Sequence, residues 1–276
     1  MGLEAVSYLA VSLRESKRIR QLFNEQVRRG IAGDGTILVT TTPHVVRWSA
    51  IDDVGWSEIA WSHLDGTNVN DVIAAQIEHF SSAGQGFVWR VYDTDLPQDL
   101  GSRLGLAGFR LTGTSELMIA QVADVPTEVD LLPGVSLVPA NDSVGIDRLI
   151  EVHEKVFETD HSQLRRTLRA QMASSPWLSE LVVVMAEGTP VSSARVEFLP
   201  DRDFASLWGG STLPEWRGKG LFRAMVAYRA QKATNRGYTY LYVIASPQSR
   251  PILEHLFFEC FGSVSTYGWQ PEALSD

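Results

Sequence analysis

Cysteine is nearly absent: Cys260 is the only one in 276 residues, so no internal disulfide can form, which suits a reducing compartment. No uninterrupted apolar run approaches membrane-spanning length. Val6 to Leu13 is apolar in part but has no basic stretch before it and no cleavage site after it, so it does not read as a secretion signal. These absences lead to the expectation of a cytoplasmic protein that does not enter a membrane. Positive charge is also short. With 24 Lys and Arg against 33 Asp and Glu, the formal net charge is −9, which argues against a general nucleic-acid binder and leaves room for a small local basic patch. Neither G-x-x-x-x-G-K-[ST] nor G-x-G-x-x-G occurs, so the two commonest nucleotide-phosphate loops are missing. His44, His63 and His79 have no partner at metal-ligand spacing and read as surface or satisfied core histidines, so no metal is expected.

What is present is the composition of a folded domain, 44% hydrophobic and 21% charged, in a chain long enough for two domains or one large one. The stretch Thr212 to Met225 draws the most attention. Before it, Phe204 to Trp208 reads as a buried strand that ends in a bulge or bend at Gly209-Gly210. Pro214 stops that strand. After Arg217-Gly218-Lys219-Gly220, helical spacing begins at Leu221 and continues through Ala224, Met225, Tyr228, Ala230 and Ala233 until Gly237. The glycines therefore lie at a helix N-terminus, where unpaired N–H groups and the positive end of the dipole can hold a phosphate. Gly218 and Gly220 permit positive φ and close backbone approach, while Arg217 and Lys219 add charge.

This stretch resembles the pyrophosphate loop of the GNAT N-acetyltransferases, Q/R-x-x-G-x-G/A after a strand and a proline. Arg217 and Gly220 match its first two fixed positions, and Phe222 stands where the family has Gly or Ala, which implies a differently shaped pantetheine end. The resemblance covers about Val135 to Gln270. There the expected order is a strand at 135–138, helices at 143–157 and 162–173, a hairpin at 181–186 and 191–198, then the phosphate-loop helix, a strand at 238–245, a helix near Ser249 and a last strand.

The N-terminal half repeats part of that order. Strand, helix, strand, helix, strand from Trp56 to Val122 parallels Phe204 to Gly268, which predicts an internal duplication. Where the second copy has Arg217-Gly218-Lys219-Gly220, the first has Asp65-Gly66-Thr67-Asn68, with an acid where an anion needs a base. The fold expected is therefore α/β: two GNAT-like domains in tandem, each a mostly antiparallel sheet flanked by helices. Residues 1–125 form a degenerate copy, 126–134 a linker, and 135–276 the acetyl-CoA-binding domain. Trp48, Trp56, Trp61 and Trp89 read as core or domain interface, with an acceptor cleft as the alternative.

The resemblance implies direct attack of an amine on the thioester of acetyl-CoA, the acetyl donor, with a small-molecule amine or amino-acid-like acceptor and a monomer or homodimer as the working unit. Ser211, Thr212 and Leu213 would offer backbone to the pantetheine, with the Leu213 N–H polarising the carbonyl. Arg217, Gly218, Lys219, Gly220, Leu221 and Phe222 would take the pyrophosphate, and Ser249 occupies the family's Asn position. The strand Phe204 to Thr212 lacks a carboxylate, so Glu197 is the substitute base. Leu253 stands where many members carry a Tyr acid, so Tyr242 or Tyr267 would protonate the thiolate. Glu158, Asp160 and His161 read as a helix-end cluster that borders the acceptor groove, and Cys260, among Phe257, Phe258 and Phe261, as a buried thiol.

Overall fold

Among the described residues, eleven strands form one continuous mixed sheet. The computed structural model describes residues 14–30, 33–51 and 55–271, so the stretch Val6 to Leu13 lies outside the described residues. The chain opens with α1, helical over residues 14–23 and continued by a π turn, Asn24–Arg28. Strands β1 (Ile37–Thr41), β2 (Val45–Ala50) and β3 (Glu58–Ser62) follow, then α2 (Val69–Ser82), β4 (Phe87–Tyr92), α3 (Leu100–Leu106) and β5 (Arg110–Gln121). After an extended connection come β6 (Val135–Pro139), α4 (Ser143–Phe157), α5 (Ser162–Ser174), β7 (Ser179–Ala186), β8 (Thr189–Phe198) and β9 (Phe204–Thr212). The chain closes with α6 (Leu221–Asn235), β10 (Tyr240–Ala245), α7 (Arg250–Glu254) and β11 (Glu259–Trp269).

Local chemistry accounts for many of these limits. The Asp142 carboxylate caps α4 by accepting from the Gly145 N–H at 2.7 Å, so the sequon-like Asn141-Asp142-Ser143 serves as a helix start. Just before α5, Asp160 accepts from the N–H and hydroxyl of its first residue, Ser162. On α4 the inward row is Ile146, Leu149, Ile150 and His153, the helical spacing of one face.

The expected duplication is visible in the sheet. Its strand order is β1-β2-β3-β4-β11-β5-β10-β9-β8-β7-β6. In each half one parallel pair, β3 with β4 and β9 with β10, is bridged by a crossover helix, α2 or α6. The halves do not keep their own last strands. Strand β5 of the first half pairs antiparallel with β10, and β11 of the second half pairs antiparallel with β4, while β5 and β11 pair with each other. The tandem halves are thus interlocked by a reciprocal strand exchange at the centre of one sheet. Helix α1 covers the junction, where Phe23 packs edge-on against Phe204 and Tyr242 and also meets Tyr92. Arg28 of α1 pairs with buried Asp95 at 2.7 Å, and Gln26 bonds Asp203, so one helix ties to both halves.

One expectation is corrected here. Cys260 is exposed, because Phe258 and Phe261 take the inward positions on either side of it.

Candidate functional site

After β9 the chain turns through Pro214–Trp216 and enters α6 at Gly220, which has φ +80° and no side-chain cap. Gly218 has φ +73°, and a Cβ on either glycine would meet nothing within 4 Å. The left-handed backbone that only glycine adopts without strain therefore leaves an open, uncapped helix N-terminus. A cleft of about 750 Å³ lies against it. Of the residues expected to hold a nucleotide thioester, Ser211, Thr212, Arg217, Gly218, Gly220, Leu221, Phe222 and Ser249 line this cleft. Two do not. Lys219 turns away so that its ammonium lies 4.3 Å from the Trp216 ring centroid, and Leu213 is buried with its N–H donated to the Val191 carbonyl at 3.0 Å. The Leu213 amide is therefore spent on the sheet and cannot polarise a bound carbonyl.

At its inner end the cleft meets the point where β9 and β10 part. The two strands pair only from Tyr240–Phe204 to Tyr242–Ser206 and separate beyond. Gly209, with φ +59°, and Gly210 oppose Ala194 alone, which is the bulge expected from sequence. A second cavity of about 220 Å³ fills the gap. It shares Phe222 and Ser249 with the cleft, and Trp208 and Tyr242 with a third pocket of about 100 Å³ on the other face of the sheet.

That third pocket lies between the halves. Trp48, Trp56 and Asp34 come from the first half, and Glu197, Ser206, Trp208 and Tyr242 from the second. Trp56 and Trp208 face each other with ring centroids 6.1 Å apart. Register places Glu197, Ser206 and Tyr242 side by side on three adjacent strands. Glu197 accepts from Arg195 Nε at 2.8 Å, Ser206 accepts from Trp208 Nε1 at 2.7 Å, and Tyr242 stands opposite Ser206 in register. Burial pushes the Tyr242 phenol well above its ordinary range, so it stays protonated.

Tyr267 is not brought to this place. The strand exchange carries β11 into the first half, where Tyr267 pairs with Trp89 and packs against α3, its hydroxyl beside Gly101. Leu253 is buried and lines the second cavity, so no hydroxyl stands at that position. Glu158 forms the left-handed C-cap of α4.

Two polar residues at the junction had a sequence signal that apolar patterning passes over. His153 falls in the inward row of α4, and its Nε2 lies 3.0 Å from the Gly209 carbonyl. A carbonyl only accepts, so Nε2 carries the hydrogen. Burial, helped by nearby Arg195 and His161, lowers the imidazole to about 4 against the pull of that bond. Arg229 stands one turn after Met225 on the inward face of α6 and is 2% exposed.

The first half has a cavity of about 440 Å³, but it lies among α1, Trp61 to Leu64 and Thr94 to Leu96, and the turn into α2 is closed by its own side chain. Asp65 accepts from the Thr67 N–H at 2.8 Å, the Thr67 hydroxyl at 2.6 Å and the Asn68 N–H at 3.1 Å. Its own carboxylate thus sits at the entrance to α2, where the other half leaves room for an anion. Among the described residues no group of three or more His, Cys, Asp or Glu could hold a metal ion, and no helix is long and apolar enough to cross a membrane.

Residues 146–257 match the acetyltransferase (GNAT) family. No curated protein matches the chain. Among solved structures, a GCN5-related N-acetyltransferase from Kribbella flavida is similar over 94% of this chain and 95% of its own, at 17% identity and a TM-score of 0.66. A functionally unknown conserved protein from Staphylococcus epidermidis is similar over 86% and 95%, at 12% identity and a TM-score of 0.63. A tandem GNAT protein from the clavulanic acid biosynthesis pathway is similar over 86% and 83%, at 11% identity and a TM-score of 0.58. At these identities the likeness concerns the fold.

Proposed function

We propose, from the premise that residues 146–257 are a GNAT-family acetyltransferase domain, that the protein is an N-acyltransferase. It moves the acyl group of an acyl-CoA, of which acetyl-CoA is the donor typical of that family, to the amine of a small molecule in a ternary complex. The observation that carries this reading is the row of adjoining cavities from the uncapped N-terminus of α6, by the gap between β9 and β10, to the Glu197–Ser206–Tyr242 row. Gly218, Gly220 and Arg217 suit the pyrophosphate because they pair free N–H groups with positive charge. The parted strands suit the end of the pantetheine and its thioester.

In this reading the acceptor amine enters the pocket between the halves. Its nitrogen bonds to the thioester carbon, the C–S bond breaks, Glu197 takes the ammonium proton directly or through one water, and the protonated Tyr242 phenol donates to the thiolate. Arg195 orients Glu197 through their 2.8 Å contact. The first half supplies a wall of the acceptor pocket and binds no nucleotide, because Asp65 fills its anion position. A non-catalytic CoA-binding role is the second reading, favoured by Leu253 at the family's acid position. Calorimetry with acetyl-CoA, followed by a thiol-release assay over a panel of amines, tests both. One site per chain with release in at least one amine is expected, one site with no release on any amine favours the second reading, and two equivalent sites would refute the role given to Asp65.

A further inference from the structure

Helix α6 carries an arginine where its packing face otherwise holds apolar side chains. Arg229 lies in the row of Leu221, Met225 and Val226, all buried, and is itself 2% exposed. Its Nε donates to the Met225 carbonyl at 2.9 Å and its Nη1 to the Arg195 carbonyl at 3.3 Å. Both acceptors are neutral backbone. The charged group it senses is Arg195, which repels it and lowers its pKa together with the larger effect of burial, to about 9. It therefore stays a cation at neutral pH, and among the described residues no carboxylate pairs with it.

A buried guanidinium without a counter-ion is costly, and replacing it by an apolar side chain would ordinarily relieve that cost. Its position explains its presence. Arg229 lines the cavity between β9 and β10, and its Nη2 lies 3.9 Å from the place a Cβ on Gly210 would occupy. The remaining nitrogen of the fork thus faces the cavity across a residue that has no side chain. The rest of that wall is largely apolar, from Leu207, Phe222, Val243 and Leu253. A methyl group needs no cation beside it, and the phosphates of the donor belong at the opposite end, at Gly218 to Gly220.

We propose that the cleft selects an acyl-CoA whose acyl chain ends in a carboxylate, of the malonyl or succinyl class, with Arg229 as the counter-ion of that carboxylate. The proposal rests on the reading of the cleft as an acyl-CoA site. The reaction stays balanced: the amine nitrogen bonds to the thioester carbon, CoA leaves as the thiol after gaining one proton, and the distal carboxylate passes unchanged into the amide. Arg229 binds and orients this group, and the guanidinium fork suits a carboxylate better than a lysine would.

Calorimetry on the full chain with CoA, butyryl-CoA, malonyl-CoA and succinyl-CoA tests this without an acceptor, butyryl-CoA matching succinyl-CoA in length without the charge. The wild type should bind malonyl-CoA or succinyl-CoA roughly 10- to 100-fold tighter than butyryl-CoA, the range of a hydrogen bond to a charged group. Arg229→Met should abolish that ratio, and Arg229→Lys should reduce it. If Arg229→Met does not fold, the wild-type ratio together with Arg229→Lys decides. Equal binding of all three thioesters overturns the proposal and leaves the acyl-CoA reading standing, as does a preference that survives Arg229→Met. Failure of CoA itself to bind overturns both.

Discussion

Replacing Gly220 by glutamate would separate the fold from the anion site, because the cost to each can be worked from the local geometry. Gly220 holds φ +80° at the start of α6, and a Cβ there would meet nothing within 4 Å. A side chain therefore fits, and the penalty is the left-handed backbone, about 1 to 3 kcal/mol. A carboxylate at a helix N-terminus returns roughly 0.3 to 1 kcal/mol. The net loss is small beside the roughly 5 to 15 kcal/mol that holds a domain together, so the Gly220→Glu protein should fold. Binding fares differently. The new carboxylate can take up the free N–H groups of α6, as Asp65 takes up those of Thr67 and Asn68 at the turn into α2, and repel the pyrophosphate. Loss of two charge-assisted hydrogen bonds, at roughly 1.5 to 3 kcal/mol each, predicts a 10²- to 10⁴-fold weaker acetyl-CoA Kd. Gly220→Ala has the same backbone strain without the charge and should lose much less. Calorimetry, with circular dichroism to verify folding, reads both. Unchanged acetyl-CoA affinity in a folded Gly220→Glu protein would refute the assignment of this helix end as the phosphate site.

Four further outcomes are expected. His153 falls from an ordinary 6.5 to about 4 on folding, so the unfolded chain binds the proton more readily between those values. Stability should be complete above pH 6.5 and fall as the pH drops toward 4, by on the order of 3 kcal/mol at about 1.4 per unit. In urea unfolding His153→Gln, which keeps a donor for Gly209, should flatten that dependence, and an undiminished slope would show that other groups cause it. With an accepted amine, Glu197→Gln should lower kcat by roughly 10²- to 10⁴-fold. Tyr242 remains protonated past its ordinary 10.0, so the profile should show no alkaline loss below that value. A loss there that vanishes in Tyr242→Phe would contradict the raised phenol, and an unchanged kcat in Tyr242→Phe would contradict its place as the acid. Finally, residues 1–125 and 126–276 made as separate chains should co-purify when expressed together and fail to fold singly. A folded, monomeric 1–125 fragment would oppose the interlocked sheet.

The elements were largely legible because the signals that set them are local. Helix α4 was expected at 143–157 and is Ser143–Phe157, and Asp142 caps it as its residue type suggests. The bulge at Gly209-Gly210, the open turn at Gly218 and Gly220, and the acid at Asp65 follow from residue type and spacing alone. The partner of an edge is not a local property. Strand β5 could complete either half with the same alternation of side chains, and only long-range register decides. That is why Tyr267, placed by sequence beside the second half's gap, lies against Gly101 in the first. Lys219 and Leu213 show a finer limit, since a charge and an amide were legible but not their directions. His153 and Arg229 occupy core positions of their helices, and a reading of apolar residues alone passes over them.

The strand exchange has a bearing on ancestry. Two copies of a single-domain ancestor that swapped their last strands across a twofold axis would produce the same order, with the equivalents of β5 and β11 antiparallel at the centre. Joining the two through a connection like that before β6 makes the encounter intramolecular and its effective concentration on the order of millimolar. Once fused, the copies are free to diverge. One can surrender its phosphate turn to an internal carboxylate at Asp65, and the same copy can then contribute Asp34, Trp48 and Trp56 to the neighbour's pocket. A symmetric dimer has to keep two identical sites; a covalent pseudo-dimer can hold one donor site and shape its acceptor wall from the other copy.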